Sequence, residues 1–265
     1  MSATMKFGAQ TVQQNVDWSE LLDFWHFLEQ ETRVESIWAM DHLVAPIEGE
    51  LPELSCFESW TTLAAAAQAT RRLRIGCLVT ANTFRHPALL AKMAATLDHI
   101  SGGRLVIALG AGWHEEEHRA FGISLYSTRE RLERLDEAAA LLRAVMEAEK
   151  PVTFHGAHYQ LENAPFFPGF VQKPHPPLMI GGGGEKHTLR TAARYADIVN
   201  LLGPVSVVRH KLKVLESHCE KEGRDYHAIE KTVHVPVVTH EDPERLALVS
   251  SFVRDHFHLT EHDKI

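Results

Sequence analysis

The chain has 265 residues, of which 45% are hydrophobic and 23% charged, a composition that is ordinary for a soluble globular protein. Its formal net charge of −8 argues against nucleic acid and anionic membranes as partners, because both require a basic surface. Three widely spaced cysteines without a C-x-x-C pair argue against a disulfide framework and a cysteine zinc site. The first residues lack the features of a secretory signal, and no apolar run approaches the ~18 residues of a membrane helix, so we expect a cytoplasmic protein.

Apolar runs alternate along the chain with segments of helical periodicity. Strands are predicted at residues 5–10, 35–41, 73–79, 104–110, 177–182, 197–203 and 232–238. Helices are predicted near residues 17–31, 57–70, 87–100, 127–148, 187–196, 205–222 and 243–257. Most of the runs are almost continuously apolar, which is typical of parallel strands covered on both faces. The repeated β-α units indicate an α/β fold, either a doubly wound sheet or a TIM-type (β/α)8 barrel.

One insertion and one absence interrupt this pattern. Residues 151–177 are rich in aromatic residues, proline and glycine, and the alternation in VTFHGAHYQL (152–161) predicts a β-hairpin. Insertions of this kind usually cover a functional site. An eighth β-α unit is not visible before Ile265, so either a barrel closes without it or this chain is shortened. We therefore predict one barrel domain over residues 1–265, with the insertion at about 151–177.

Residues His114–His118 read H-E-E-E-H, which matches the H-E-x-x-H motif of zinc metalloproteases. That motif needs both histidines on one face of a helix, with the glutamate as general base. Gly110 and Gly112 lie just upstream, and a glycine in a helix interior costs about 1 kcal/mol, so a helix can begin only near Trp113. A match this short arises easily by chance. We predict no metal site, and a zinc hydrolase stays a remote alternative.

The three glutamates of this motif have a simpler interpretation. Acidic residues in the first turn of a helix interact favourably with the positive end of its dipole. We expect Glu116 and Glu117 to be exposed to solvent there, and the role of Glu115 stays open.

Five segments, in this order along the chain, resemble the bacterial luciferase-like oxidoreductases, a TIM-barrel superfamily that uses reduced FMN or coenzyme F420. They are MKFGAQTVQQNVDW (5–18), SIWAMDHL (36–43), LVTANTFRHPALLAKMAATLDHISGGRL (78–105), IALGAGWHEEEHRAFGI (107–123) and PHPPLMIGGGGEKHTLRTAARYADIVNL (174–201). The set is most similar to the F420-dependent branch. The resemblance implies a cofactor, F420 or alternatively FMN, at the carboxyl ends of the barrel strands, a small-molecule substrate and a homodimer.

Asp41 and His42 stand at the carboxyl end of the second predicted strand, where barrel active sites are built. A histidine at that place can exchange protons near pH 7. The resemblance implies that His42 is the acid/base partner of hydride transfer, and that Asp41 orients it or contacts the cofactor. The alternative is an ordinary polar loop that Asp41 caps.

Two further segments are implied to contact the cofactor ring. In the resembled family, a non-prolyl cis peptide lies behind the ring, and here it maps near Leu78–Val79. Val79, Thr80 and Asn82 would then line the ring, the last two as hydrogen-bonding groups. The G-x-G-W turn of the family lies in or beside the same pocket, which implies that Gly112, Trp113 and His114 contact the ring.

A run of four glycines follows the fifth predicted strand and precedes a helix. Gly181, Gly182, Gly183 and Gly184 let backbone N–H groups approach a ligand closely, and a helix N-terminus favours a phosphate. The alternative is a glycine-rich turn without a ligand. Asn200, at the end of the sixth predicted strand, either lines the pocket or belongs to a turn.

These residues favour an F420-dependent oxidoreductase, in which a hydride passes between the deazaflavin and a small organic substrate while His42 gives or takes a proton. The alternative is an FMNH2-dependent monooxygenase on the same barrel, with a pocket that excludes water. The remote alternatives are the zinc hydrolase and a non-catalytic pseudoenzyme, which the missing eighth unit suggests.

Overall fold

The computed structural model describes residues 5–44 and 55–237, and beyond them residues 241–244, 246, 247 and 250. It divides into two compact units, Met1–Gly181 and Gly182–Ile265, and each is described by itself. In the described ranges, no helix is both long and apolar enough to cross a membrane.

The first unit is built on a parallel sheet. Its strands are β1 (Gly8–Gln10), β2 (Ser36–Ala39), β3 (Arg74–Cys77), β4 (Thr80–Ala81), β5 (Leu105–Gly110) and β8 (Leu178–Gly181). The order is β1-β2-β3-β5-β8, every neighbouring pair is parallel, and the short β4 pairs with β5. All six residues of β5 are buried, which explains why this strand reads as an unbroken apolar run.

Five helices lie within the described residues of the first unit. They are α1 (Trp18–Glu31), α2 (Ser59–Ala69), α3 (Pro87–Ser101), α4 (Glu115–Ala120) and α5 (Thr128–Met146). Proline stands at the start of α3, where its missing N–H costs nothing, and the helix ends at Gly102 in the left-handed conformation. The short α4 follows β5 directly, and it contains the three glutamates of the H-E-E-E-H motif.

The insertion forms the predicted hairpin. Strands β6 (Val152–His155) and β7 (Gln160–Ala164) pair antiparallel. The Glu137 carboxylate of α5 holds the turn, because it accepts the backbone N–H groups of Ala157, His158 and Tyr159 at 2.6 to 3.1 Å. A carboxylate that accepts several N–H groups fixes a turn firmly, so the tip of the hairpin is held against α5.

Within its described residues, the main elements of the second unit are two parallel strands and two α-helices. They are α6 (Thr188–Tyr195), β9 (Ile198–Leu202), α7 (Val205–Glu222) and β10 (Glu230–His234). The strand predicted at 232–238 begins two residues earlier and ends before Pro236, which has no N–H to donate to a sheet. The helix predicted near 243–257 lies mostly outside the described residues.

Candidate active site

The segment that follows β2 is held at both ends by side chains from elsewhere in the first unit. The Gln13 amide brackets Met40, since its Nε2 donates to the Met40 carbonyl at 2.5 Å and its Oε1 accepts the Met40 N–H at 3.0 Å. Cys56 donates its thiol to the His42 carbonyl at 3.3 Å. The backbone around Asp41 and His42 is therefore fixed before any ligand arrives.

Asp41 is buried and fully occupied by protein donors. Its two oxygens accept hydrogen bonds from Arg85, one from Nη1 at 2.7 Å and one from Nη2 at 3.0 Å. They also receive Ser59 Oγ at 2.6 Å and the Ala81 N–H at 2.8 Å. Asp41 thus joins the end of β2 to the start of α2 and to β4.

Arg85 completes this buried charge network. It also donates to Glu58 at 2.6 Å, and Glu58 in turn caps α2 by accepting the Trp60 and Thr61 N–H groups. Burial acts to lower the pKa of Arg85, but Asp41 and Glu58 outweigh it, so the pKa is raised. The structure therefore assigns Asp41 to this network rather than to the His42 ring, and its alternative predicted role, a contact with the cofactor, stays a prediction.

The carboxylate that contacts His42 belongs to Glu117. His42 Nδ1 lies 3.0 Å from Glu117 Oε2 and 3.2 Å from Oε1, and the Leu43 N–H donates to Oε2 at 2.9 Å. Burial acts to raise the pKa of Glu117, but these hydrogen bonds outweigh it, and the pKa is lowered. The expectation that Glu117 is exposed is wrong, since its side chain is only 1% exposed, whereas Glu115 and Glu116 are exposed.

The two histidines of the H-E-E-E-H motif have separate partners. His114 lies before the six-residue α4 and caps it, because its Nδ1 accepts the Glu117 N–H at 3.2 Å. Both ring nitrogens of His118 are hydrogen bonded, Nδ1 to the His114 carbonyl at 2.6 Å and Nε2 to Thr83 Oγ1 at 2.7 Å. Within the described ranges, no group of three or more His, Cys, Asp or Glu could hold a metal ion. The geometry gives the zinc hydrolase no support.

Val79 occupies a narrow space between two strand ends. The Leu78–Val79 peptide bond is cis, at the position that the resemblance implies. A Cβ added to Gly110, at the end of β5, would lie 2.5 Å from a Val79 methyl, and one added to Gly181, at the end of β8, would lie equally close to the other methyl. Glycine is therefore required at both strand ends to accommodate Val79.

Two buried polar atoms beside Val79 lack partners. Thr80 Oγ1 and Asn82 Oδ1 have no hydrogen bond among the described residues, although Asn82 Nδ2 donates to the Tyr159 hydroxyl at 3.1 Å. Buried polar atoms nearly always have a partner, so these two fit a site that a polar ligand completes. Tyr159 belongs to the hairpin turn, and sequence reasoning did not single it out.

The turn after β5 brings three aromatic rings together. The Trp113 ring lies 5.8 Å from the His42 ring and 5.0 Å from the His114 ring, and the two histidine rings are 6.0 Å apart. Arg131 donates to the Gly112 carbonyl and so fixes the turn. Trp113 is 58% exposed, which leaves an apolar surface next to His42. The structure thus brings His42, Trp113 and His114 together, as the predicted site requires.

The second unit contains the remaining predicted ligand residues. Gly182 has a φ of 117°, and a Cβ on Gly184 would lie 2.8 Å from Thr188 Oγ1 at the start of α6. The Asn200 carbonyl accepts the Gly182 N–H at 3.1 Å, and its side chain donates to Thr232 at 2.9 Å. A phosphate site at Gly182–Gly184 and a ligand contact from Asn200 stay predictions.

Known proteins are similar to this chain over most of its length. The family model described as luciferase-like monooxygenase matches residues 1–260. An F420-dependent glucose-6-phosphate dehydrogenase from Microbacterium testaceum is 30% identical over 248 residues, which is 91% of this chain and 70% of that protein. The corresponding enzyme of Kineococcus radiotolerans is 28% identical over 245 residues, 90% of this chain and 69% of that protein.

Among solved structures, an F420-dependent secondary alcohol dehydrogenase in complex with an F420-acetone adduct is similar with a TM-score of 0.84. It is 22% identical, and the match covers 99% of this chain and 79% of that one. This similarity confirms the predicted α/β fold class of the TIM-barrel superfamily. Since the family model covers almost the whole chain, the protein belongs to the luciferase-like monooxygenase family.

Proposed function

We propose that the protein is an F420-dependent oxidoreductase that exchanges a hydride with a small organic substrate, with His42 as the acid/base group. The observation that carries this proposal is the state of the His42 ring. Nδ1 is hydrogen bonded to Glu117, whereas Nε2 has no hydrogen bond among the described residues. The ring lies at the carboxyl end of β2. The F420-dependent dehydrogenases among the relatives support the choice of cofactor.

Each unit contains residues that suit a part of such a cofactor. In the first unit, Val79 and Trp113 offer apolar surface for a flat ring, and the unpartnered atoms of Thr80 and Asn82 offer hydrogen bonds to its polar edge. In the second unit, Gly182–Gly184 and the N-terminus of α6 suit a phosphate. When bound, F420 supplies the chemistry of hydride exchange, and the protein supplies orientation and charge.

His42 supplies the proton transfer. In oxidation of an alcohol, Nε2 takes the hydroxyl proton, and the hydride from the carbon would go to the cofactor held in the site. In the reverse direction the protonated ring returns that proton to the carbonyl oxygen. General acid–base catalysis of this kind contributes about 10²- to 10⁴-fold in rate.

A binding and turnover experiment tests the proposal. The protein is titrated with F420 and with FMN, followed by fluorescence, and then assayed with glucose 6-phosphate and with simple secondary alcohols. We expect F420 to bind, and His42→Gln to bind it equally well but to lose at least about 100-fold in turnover. Binding of FMN but not F420 would contradict the proposal, and binding of neither would favour the non-catalytic alternative.

The second candidate is the FMNH2-dependent monooxygenase. One observation favours it, since the matching family model is itself described as a monooxygenase. Consumption of oxygen with reduced FMN, and none with F420, would establish it.

Two further expectations, on cellular location and on oligomeric state, belong to the same proposal. The free thiols of Cys56, Cys77 and Cys219 support a reducing, cytoplasmic location. Phe24 and Phe27 of α1 are 43% and 52% exposed and stack 6.5 Å apart, which supports a homodimer. A monomeric mass in light scattering would contradict the dimer, and recovery of the protein from an oxidising compartment would contradict the location.

A further inference from the structure

The Glu117 carboxylate is buried and directed at one side chain. Its own side chain is 1% exposed, that of His42 is 16% exposed, and both carboxylate oxygens lie within 3.2 Å of His42 Nδ1. We propose that Glu117 is the positioning residue of His42: it sets the orientation and the tautomer of the ring, and it stabilises the positive charge of the protonated ring. This proposal rests on the proposed acid/base role of His42.

The tautomer follows from the chemistry of the contact. An ionised carboxylate can only accept hydrogen bonds, so Nδ1 must carry the proton that joins it to Glu117. In the neutral ring, Nε2 is then left with a lone pair, ready to take a proton. When the ring is protonated, the adjacent negative charge stabilises it, as in the carboxylate–histidine pair of serine proteases.

Glu117 is itself well anchored. It stands in the first turn of α4, where the helix dipole favours a negative charge, and it accepts the Leu43 N–H at 2.9 Å. The His114 side chain caps the same helix by accepting the Glu117 N–H. The carboxylate is thus fixed to two elements, the segment after β2 and α4, and its position does not depend on a ligand.

The other groups near His42 cannot take over this role. Asp41 is committed to Arg85, and the hydrogen bond from Cys56 to His42 goes to the backbone carbonyl rather than to the ring. The His114 ring is 6.0 Å from the His42 ring, and Trp113 carries no charge. Within the described residues, Glu117 is the only carboxylate that contacts the His42 ring.

The first test needs no cofactor and no turnover. Nitrogen-15 NMR of histidine-labelled protein, with His42 assigned by comparison with His42→Gln, reports which ring nitrogen carries the proton. We expect the neutral ring to be protonated at Nδ1, although free histidine prefers Nε2. In Glu117→Gln the amide can accept or donate, so we expect both tautomers. Glu116→Gln, an exposed glutamate on the same helix, is the matched control and should leave the spectrum unchanged.

The second test is kinetic and uses the protein loaded with F420. We expect Glu117→Gln to lower kcat about 100-fold, with KM changed less than about threefold, because the lost interaction acts in the transition state. Glu117→Asp keeps the charge and should retain the Nδ1 tautomer with an intermediate kcat.

Several outcomes would overturn the proposal. They are a wild-type His42 protonated at Nε2, an unchanged tautomer in Glu117→Gln, or an unchanged kcat in that variant. If Glu117→Gln does not fold, the wild-type tautomer and Glu117→Asp still decide. A wild-type protein that binds no F420 would contradict the proposed function only, since the NMR result stands without it.

Discussion

The surroundings of His42 and the glycine loop of the second unit are built by different means. Around His42 the structure uses buried charges, since Asp41 is held by Arg85 and the Ala81 N–H, and Glu117 by His42 and the Leu43 N–H. The glycine loop instead uses backbone conformation, with Gly182 in the left-handed region. Its neighbouring charges are on the surface, since Glu185, which binds Lys211 at 2.6 Å, is 41% exposed.

This difference teaches which changes each region can tolerate. A buried charge that loses its partner is strongly destabilising, whereas an exposed ion pair contributes little. A proton-transfer group needs a fixed side chain, which buried charges provide. A phosphate needs only backbone N–H groups that it can approach, which glycine provides. Substitutions in the two regions should therefore differ in how much they change the free energy of unfolding, as well as in the physical cause of that change.

The largest effect is expected from breaking the buried charge network. Asp41→Ala leaves the Arg85 guanidinium without its main partner, and the Asp41 and Arg85 side chains are only 2% and 11% exposed. Loss of one partner of a buried pair costs about 3–5 kcal/mol. We expect the free energy of unfolding, measured by urea titration, to fall by that amount.

The matched control for Asp41 is an exposed pair on α5. Glu133→Ala removes the partner of Arg129, whose side chain is 86% exposed, and should leave the free energy of unfolding nearly unchanged, because exposed ion pairs contribute little. Equal losses of unfolding free energy in the two variants would show that the buried network around His42 contributes no more than an exposed ion pair. The comparison between the two regions would then fail.

A smaller effect is expected from adding a methyl group to a glycine. Gly110→Ala places a Cβ 2.5 Å from Val79, and overpacking of this kind costs about 1–3 kcal/mol. In the second unit, a Cβ on Gly183 would be 3.5 Å from Lys211, an ordinary contact, so Gly183→Ala should keep its stability. Unfolding titrations of the two variants give the comparison directly.

The cause of the Gly110 effect can be isolated. Adding Val79→Ala to Gly110→Ala removes the clashing methyl groups and should recover part of the lost stability. Gly169→Ala, which meets nothing within 4 Å, is the neutral control. A Gly110→Ala protein as stable as wild type would mean that Val79 moves aside freely.

Much of the fold could be predicted because it depends on local patterns. Each predictable feature lies within one short segment of the chain. Examples are the unbroken apolar run of β5, the proline at the start of α3 and the alternation of the hairpin. The place of His42 was also predictable, because residues at the carboxyl ends of parallel strands meet at one edge. The resemblance supplied the cis bond at Leu78–Val79, which no local pattern indicates.

Two residues of the candidate site could not be found in this way. Glu117 stands in a helix of six residues, too short for an apolar period to show which face is buried. Its partner His42 is 75 positions away in the chain. Tyr159 reaches Asn82 across a separation of 77 residues, through a turn that Glu137 fixes. Contacts between distant segments depend on how those segments pack in the folded chain. The sequence alone shows which residues could form such a contact, but not which pairs do.

The smallest effect is expected from acid, and it should distinguish the two regions once more. The pKa of Glu117 is lowered below its ordinary value of 4.5, so the folded state binds a proton less readily than the unfolded state. The resulting stability is present above that ordinary value and is lost as the pH falls through the lower, folded-state pKa. Urea titrations from pH 7 downwards should therefore show a smaller acid-dependent loss in Glu117→Gln than in wild type.

Glu185 of the second unit provides the matched comparison. Its pKa is lowered by Lys211, but the pair is exposed and screened by water, so Glu185→Gln should leave the acid-dependent loss nearly as in wild type. An equal change in both variants would mean that the burial of Glu117 adds nothing to its interaction with His42. A change confined to Glu117→Gln would show that the buried carboxylate is ionised in the folded protein, which is the state that the positioning of His42 requires.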